Sequence, residues 1–276
     1  MIVFDNAPTR FIAGEPVQLA YEERPGSRPT LLCVHGNSSH RGLWRMLLAD
    51  LAEFHAIADD TRGHGDSDWI EPPRYNTPDY AADVARVVTA LNLRDYVLLA
   101  HSAGGLAALS YIATAAQPPR ALVFFDAEAC VPRWQVDYFR ERAAAQGRVY
   151  ASPEQVARGF QKIYPTTPFN RLLQFVASGM RQVEGGWQQK LDPATFATWE
   201  PGDLRPILHQ IACPTLVVRG GDSPVMSPAG LDELVAGLPH ARSLTISGTS
   251  HLLLLEASVE IAWTIRGFLA ESVANK

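Results

Sequence analysis

The stretch VLLAHSAGGLAAL, residues 97–109, changes from one structural pattern to another at a single serine. Its first residues, VLLA, form an apolar run without alternation, which is typical of a strand buried on both faces. After His101 and Ser102 the small residues AGG open a second apolar run at which a helix can begin. A strand, a polar pair and a helix rich in small residues predict a tight turn where another group approaches the backbone closely.

The composition is that of a globular chain with a sizeable core. The 276 residues are 47% hydrophobic and 19% charged, which argues against a disordered chain. The formal net charge is −5 and the 24 Lys and Arg residues are scattered, so we expect no nucleic acid partner. The length fits one large domain with an insertion, or two ordinary domains.

Three further features predict a cytoplasmic protein. No apolar run approaches the roughly 18 residues of a membrane span, so no membrane association is expected. The first residues lack a basic region followed by a long apolar stretch, so a secretory signal is not expected. The cysteines Cys33, Cys130 and Cys213 are far apart and odd in number, which favours reduced thiols over disulfides or metal ligands.

Short apolar runs that alternate with helical patterns predict a mostly parallel sheet. The runs are TLLCVHG (30–36), the run that precedes DDTRGHGDSD, then YVLLA (96–100), ALVFFD (121–126), TLVVRG (215–220) and RSLTIS (242–247). Helices are expected around 43–52, from an N-cap at Thr77 followed by Pro78, after Ser102, and near the end of the chain. The last of them places Ile261, Ile265, Phe268 and Leu269 on one face. In such sheets ligands bind at the carboxyl ends of the strands.

The alternation fails between residues 127 and 206. This segment of 80 positions holds 11 of the 25 aromatic residues, and stretches such as YPTTPF and VEGGW interrupt its helical patterns. We interpret it as a helical lid inserted into a core made of residues 1–126 and 207–276. Its aromatic residues either form the core of the lid or line a pocket.

The pentapeptide AHSAG (100–104) fits a nucleophile elbow, the strained turn between a strand and a helix. The usual pattern is G-x-S-x-G, and Ala100 replaces the first glycine, which is a sterically mild change. Such a turn projects the Ser102 hydroxyl above the sheet, beside a helix N-terminus that stabilises negative charge. For the pentapeptide alone, a serine that only caps the helix is the alternative.

Four motifs together resemble the α/β-hydrolase superfamily over nearly the whole chain. They are HGNSSH after the first core strand, DTRGHGDSD after the next, AHSAGG at the elbow, and GTSH near the end, followed by Glu256. Their order and spacing both fit. The resemblance implies an α/β-hydrolase fold with a mostly parallel sheet and a helical cap. It also implies an enzyme that acts on a small-molecule substrate without cofactor or metal.

The resemblance assigns a nucleophile, a base and an oxyanion hole. Ser102 is the expected nucleophile, and His251, which follows the last strand, is the base that takes its proton. The backbone N–H groups of Asn37 and Ala103 are the expected oxyanion donors. The Asn37 amide is also a candidate substrate contact.

Five more side chains are candidate walls of the substrate pocket. His35 and His101 adjoin the oxyanion loop and the nucleophile, and they are expected to shape the site rather than to carry protons. Trp44, Trp134 and Trp187 are candidates for the acyl or leaving-group pocket, with burial in the core as the alternative.

The acid that orients His251 departs from the common pattern. Relatives usually carry an aspartate in the loop after TLVVRG, but here the expected position falls on Ser223 or Pro224, and Asp222 comes slightly early. Some relatives instead place the acid at the end of the preceding strand, where FFDAE offers Asp126. We favour Asp126 narrowly over Asp222, with Glu128 a distant third.

These assignments predict a serine hydrolase of a small, fairly apolar ester, lactone or related carbonyl compound. The same residues also suit cleavage of carbon–carbon bonds in ring-fission diketones, whereas epoxide hydrolases and dehalogenases would carry an aspartate at the elbow. A second class is a cofactor-independent dioxygenase that uses a His–Asp dyad. Those relatives carry Trp and His just after the first core strand, where this chain has Asn37 and Ser39. A third class is a non-catalytic binding protein on the same scaffold.

Overall fold

A central sheet and a separate hairpin account for the strands of the protein, in a computed structural model that describes residues 8–143 and 147–274. Across these residues the sheet has eight strands in the order β1-β2-β4-β3-β5-β6-β9-β10, and β7 and β8 form a separate two-stranded sheet. Within the described residues the strands are β1 (Arg10–Ile12), β2 (Leu19–Arg24), β3 (Ser27–Val34), β4 (Phe54–Asp59), β5 (Tyr96–His101), β6 (Ala121–Phe125), β7 (Met180–Val183), β8 (Gly186–Gln189), β9 (Thr215–Gly220) and β10 (Ala241–Ile246).

The sheet is mostly parallel, as the sequence predicts. From β4 to β10 every neighbouring pair is parallel, whereas β2 pairs antiparallel with both β1 and β4. Successive residues of a strand contribute to opposite faces, so Leu98 joins one apolar cluster while Val97 and Leu99 join the other. Because parallel strands end at one edge, the residues that follow β3, β5, β6 and β9 lie at the same side of the molecule.

Helices cover both faces of this sheet. They are α1 (Arg45–Asp50), α2 (Thr77–Ala90), α3 (Ala103–Ile112), α4 (Arg133–Ala143), α5 (Pro153–Ile163), α6 (Phe169–Ser178), α7 (Ala194–Ala197), α8 (Pro228–Gly237), α9 (Leu253–Glu256) and α10 (Ser258–Ala274). Apolar residues of α2, α3 and α8 pack on one face of the sheet, and those of α1 and α10 pack on the other. The predicted apolar face of the last helix is buried there, including Ile265 at 0% exposure.

The start of α2 differs by one residue from the prediction. Asn76, rather than Thr77, caps the helix, and its side chain and that of Asp79 form a capping box. Asn caps at least as well as Thr, and the acid three residues later completes the pair. Pro78 keeps its expected place in the first turn.

The segment between β6 and β9 carries α4, α5, α6, α7 and the hairpin of β7 and β8. The sequence did not predict this hairpin, because a stretch such as VEGGW is as typical of a break between helices as of a turn between strands. Glu184 and Gly185 form the two-residue turn between the strands, and Gly185 has a φ of 83°, in the left-handed region that such turns use. The predicted cap, residues 127–206, therefore contains two strands as well as helices. Its boundaries remain a prediction.

The inserted segment is tied to the loop that follows β4. The Asp192 amide donates to Gly63 O at 2.8 Å, and the Gly65 amide donates to Lys190 O at 2.8 Å. Lys190 Nζ also contacts Asp66 Oδ1 at 2.5 Å. These contacts hold the second half of the segment against the core. Within residues 8–143 and 147–274, no helix combines the length and apolarity that crossing a bilayer requires.

Candidate active site

Ser102 lies at the sharp turn between β5 and α3, as the elbow motif predicts. Its backbone has φ 55° and ψ −127°, a region that L-residues rarely occupy. The neighbouring chain leaves no room for larger side chains. A Cβ on Gly104 would lie 2.4 Å from His35 O, and one on Gly36 would lie 2.6 Å from Ser102 Cβ. The close approach expected at this turn is therefore the loop after β3.

His251 is hydrogen-bonded to a buried carboxylate. Its Nδ1 lies 2.7 Å from Asp126 Oδ2, and Asp126 is 0% exposed. Two other donors hold the same carboxylate, since the Gly220 amide lies 2.9 Å from Oδ1 and the Ser223 hydroxyl donates to Oδ2. An ionised carboxylate only accepts hydrogen bonds, so in the neutral form of His251 the hydrogen is on Nδ1 and Nε2 is an acceptor.

The partner of His251 is Asp126 and neither of the other two acid candidates. Asp222 is exposed, and its amide donates to Thr249 O at 2.8 Å. Glu128 Oε1 instead accepts from the Ser227 amide at 2.9 Å. The structure therefore pairs His251 with Asp126. Ser223, one of the two positions where the common pattern expects the acid, donates its hydroxyl to Asp126 instead.

Two backbone amides adjoin Ser102 at the end of the sheet. Ala103 is the first residue of α3, and the first amides of a helix have no acceptor within it. Asn37 follows Gly36 in the loop that packs against Ser102. Asn37 and Ala103 line the same cavity as Ser102 and His251.

A cavity of about 580 Å³ opens over Ser102 and His251. Its walls come from the ends of the core strands and from α4, α5, α6 and α7 of the inserted segment. Nine of the lining side chains from that segment are aromatic, namely Trp134, Tyr138, Phe139, Tyr150, Phe160, Tyr164, Phe175, Phe196 and Trp199. Trp134 is 57% exposed and stands at the mouth of the cavity. The volume suits a ligand of small-molecule size.

The family model of the alpha/beta hydrolase fold matches residues 29–258, which is most of the chain. This chain belongs to the alpha/beta hydrolase fold family. The expectations of an α/β-hydrolase fold and of an enzyme of that fold are thereby confirmed.

Characterised relatives of this hydrolase include enzymes of two named kinds. One is 29% identical over 240 residues, 86% of each chain, and is the 2-(acetamidomethylene)succinate hydrolase of Mesorhizobium japonicum. Another is 28% identical over 261 residues, 89% of this chain and 96% of its own, and is the pimeloyl-[acyl-carrier protein] methyl ester esterase of Xanthomonas campestris pv. campestris. The crystal structure of E-2-(acetamidomethylene)succinate hydrolase superposes with a TM-score of 0.87 at 26% identity, covering 95% of this chain and 99% of that one.

Three of the predicted pocket residues of the hydrolase do not line the cavity. Trp44 is fully buried against Phe125, with ring centroids 5.9 Å apart, because its turn packs on the face of the sheet that α1 and α10 cover. Trp187 lies in β8, where its backbone pairs with Tyr150. His35 is held inside the loops, and its Nε2 accepts from the Thr61 amide at 3.1 Å. Trp134 and His101 do line the cavity.

His101 is a neutral imidazole beside His251. Its Nε2 donates to His251 O at 3.0 Å, and the two rings have centroids 4.5 Å apart. Burial, followed by the neighbouring His251, lowers the pKa of His101 to about 3. A neutral ring at this place holds the backbone of His251 without competing for a proton.

Sequence reasoning missed the contact between Ser223 and Asp126, and it left open whether the aromatic residues line a pocket. Ser223 was noted only as the place where an acid was expected, although a hydroxyl next to a displaced acid is itself a signal. The aromatic walls come from helices whose faces are not fixed by the sequence pattern alone. Glu256, noted as a part of the GTSH motif, makes contacts that spacing does not reveal and that are described below.

Proposed function

We propose that this hydrolase is a serine hydrolase of a small, fairly apolar ester, lactone or related carbonyl compound. One observation carries the proposal. Ser102, on a strained elbow, lines the same cavity as His251, whose Nδ1 is bound to the buried Asp126. A strained nucleophile and a base in one cavity, with a buried acid that orients the base, are the parts that acyl transfer requires.

Each part has a definite role in the proposed reaction. His251 Nε2 takes the proton of Ser102 as Oγ forms a bond to the substrate carbonyl carbon, and Asp126 stabilises the imidazolium that results. The Asn37 and Ala103 amides donate to the oxyanion. His251 then passes the proton to the leaving group as its bond to carbon breaks. Water, activated by His251, hydrolyses the acyl-enzyme and releases the acid and free Ser102.

The cavity supports an apolar substrate. Phe139 packs edge-to-face against Phe196 and Trp199, with ring centroids 5.0 Å and 5.4 Å away, and all three line the cavity. Burial of apolar area against these rings favours ligands that carry an alkyl or aryl group. The relatives named as a hydrolase and a methyl ester esterase support carbonyl chemistry at Ser102.

The pairing of His251 with Asp126 keeps one alternative open. A cofactor-independent dioxygenase would use the same His–Asp dyad, with Asp126 after β6, but it would not need Ser102 on the elbow. Carbon–carbon hydrolysis of diketones would need Ser102 and remains within the serine-hydrolase class. The dependence on Ser102 therefore separates the two classes.

The decisive experiment compares the wild-type protein with Ser102→Ala. Both are assayed on short-chain p-nitrophenyl esters, lactones and diketones, and for oxygen uptake with hydroxy-quinolones. We expect ester or related hydrolysis that Ser102→Ala abolishes, and fluorophosphonate labelling of the wild type at Ser102. Oxygen uptake that survives Ser102→Ala would establish the dioxygenase. A folded wild type that neither hydrolyses these substrates nor takes up the probe would support a binding protein.

A further inference from the structure

We propose that Glu256 is a positioning residue that holds the backbone on both sides of His251 and links it to the inserted segment. The inference rests on the proposed role of His251 as the base. Glu256 is the last residue of α9 and is half-buried, five positions after His251. Its carboxylate accepts four hydrogen bonds from two different parts of the chain.

Two of these bonds fix the residue before His251. The Ser250 amide donates to Glu256 Oε2 at 2.6 Å, and the Ser250 hydroxyl donates to Oε1 at 2.7 Å. The hydroxyl has a single hydrogen, which it gives to Glu256, so its oxygen can accept from the Leu252 amide at 3.1 Å. Glu256 therefore holds Ser250 directly and Leu252 through Ser250.

The carbonyl of His251 is fixed as well, by His101 Nε2 at 3.0 Å. Both neighbours of His251 and its own carbonyl group are therefore held by hydrogen bonds. Because the backbone cannot shift easily, the imidazole ring stays at its place beside Asp126. Catalysis depends on such preorganisation, since small displacements of a base are costly.

The other two bonds come from the inserted segment. Thr166 and Thr167, between α5 and α6, donate their hydroxyls to Glu256 Oε1 at 2.8 Å and 2.6 Å. Arg171 of α6 adds a bond from Nη1 to Leu255 O at 2.9 Å. Thr167 is buried, and Tyr164, three residues before it, lines the cavity. The wall of the cavity and the base thus share one anchor.

As a carboxylate, Glu256 accepts all four of these hydrogen bonds. Glu256 Oε1 receives three hydroxyls and Oε2 receives an amide. A glutamine has the same shape but only one acceptor oxygen. If that oxygen faces the Ser250 amide, the NH₂ has two hydrogens for three hydroxyl groups, which must turn to accept them. If it faces the hydroxyls, the NH₂ meets the Ser250 amide, so the anchor is weakened in either orientation. Glu256→Gln is therefore a nearly isosteric test.

The experiment measures kcat and KM on a p-nitrophenyl ester for Glu256→Gln, Thr167→Val and the control Glu260→Gln. Glu260 is an exposed carboxylate four residues further on. Rates are expressed per site titrated with a fluorophosphonate, which removes any effect of misfolded protein. We expect Glu256→Gln to lower kcat by about tenfold with KM within about twofold, and Thr167→Val to lower kcat by about threefold. Glu260→Gln should equal the wild type.

A kcat for Glu256→Gln within about twofold of the wild type would overturn the positioning role. A normal kcat for Thr167→Val would overturn the link to the inserted segment. Amide hydrogen exchange of the peptide that contains residues 249–255 gives a reading independent of activity, and faster exchange is expected in Glu256→Gln. Unchanged exchange contradicts the inference even if the protein proves not to be a hydrolase, whereas an unlabelled Ser102 in the wild type contradicts the proposed function instead.

Discussion

Replacing Asp126 by asparagine tests the assignment of the acid, the part of the site that departs from the common pattern. Three donors converge on this carboxylate, with His251 and Ser223 on Oδ2 and the Gly220 amide on Oδ1. Asparagine keeps the shape but offers only one acceptor oxygen, so one donor must face an NH₂ group. The structure therefore predicts a loss of function with the site still in place.

The size of the loss depends on the orientation of the new amide. If its oxygen takes the Oδ2 position, His251 keeps its tautomer but loses the charge that stabilises the imidazolium. A hydrogen bond to a charged group contributes about 1.5–3 kcal/mol, which corresponds to roughly 10–100-fold in rate. If the NH₂ faces His251, the ring hydrogen moves to Nε2 and the base cannot accept a proton, a change that costs about 10⁴-fold in a serine protease.

The assay is hydrolysis of a p-nitrophenyl ester under saturating conditions, with circular dichroism as the check of folding. We expect kcat of Asp126→Asn to fall by at least about tenfold, and that of the exposed Asp222→Asn to stay within about twofold of the wild type. A folded Asp126→Asn variant with wild-type kcat would refute the assignment of Asp126. So would an equal loss in Asp222→Asn.

Three further predictions concern stability. Ser102→Gly should raise the free energy of unfolding by about 1–2 kcal/mol, because glycine relieves the φ of 55° at the elbow, and urea unfolding beside inactive Ser102→Ala measures it. Gly104→Ala should destabilise or misfold the protein, because its Cβ would lie 2.4 Å from His35 O, whereas Gly159→Ala, with nothing within 4 Å, should fold normally in thermal unfolding. Burial lowers the pKa of His40 to about 3, so its folded state stays neutral while its unfolded state binds a proton below about pH 6.5. Stability should then fall by about 1 kcal/mol for this residue between pH 7.5 and 5.5 in urea titrations, and a wild-type slope in a His40→Asn variant would contradict this.

The elbow and the sheet could be predicted from the sequence because local patterns determine them. A buried strand is followed by a polar pair and then by small residues, and this pattern predicts the turn at Ser102. The small residues are needed because the turn leaves no space for larger side chains. The β3, β5 and β6 strands carry apolar residues on both faces, which favours a parallel sheet wherever they pair. These features depend on residues close together in the chain.

The rest of the site depends on contacts between distant residues. Asp126 and Asp222 both follow strands that end at the same edge, and only the fold shows that His251 meets the first of them. Trp44 and Trp187 are of a residue type that is common in pockets, but neither lines the cavity. Trp44 packs against Phe125, and the backbone of Trp187 pairs with Tyr150. The hairpin at Gly185 was missed because paired glycines interrupt helices and join strands equally well.

The most direct test of the account is a crystal structure of the protein after reaction with a small alkyl fluorophosphonate. The account predicts phosphorus bonded to Ser102 Oγ, with the phosphoryl oxygen about 2.7–3.1 Å from both the Asn37 and Ala103 amides. The His251 ring should stand beside the adduct while still bound to Asp126. An adduct on another residue, or a phosphoryl oxygen that points away from both amides, would contradict it.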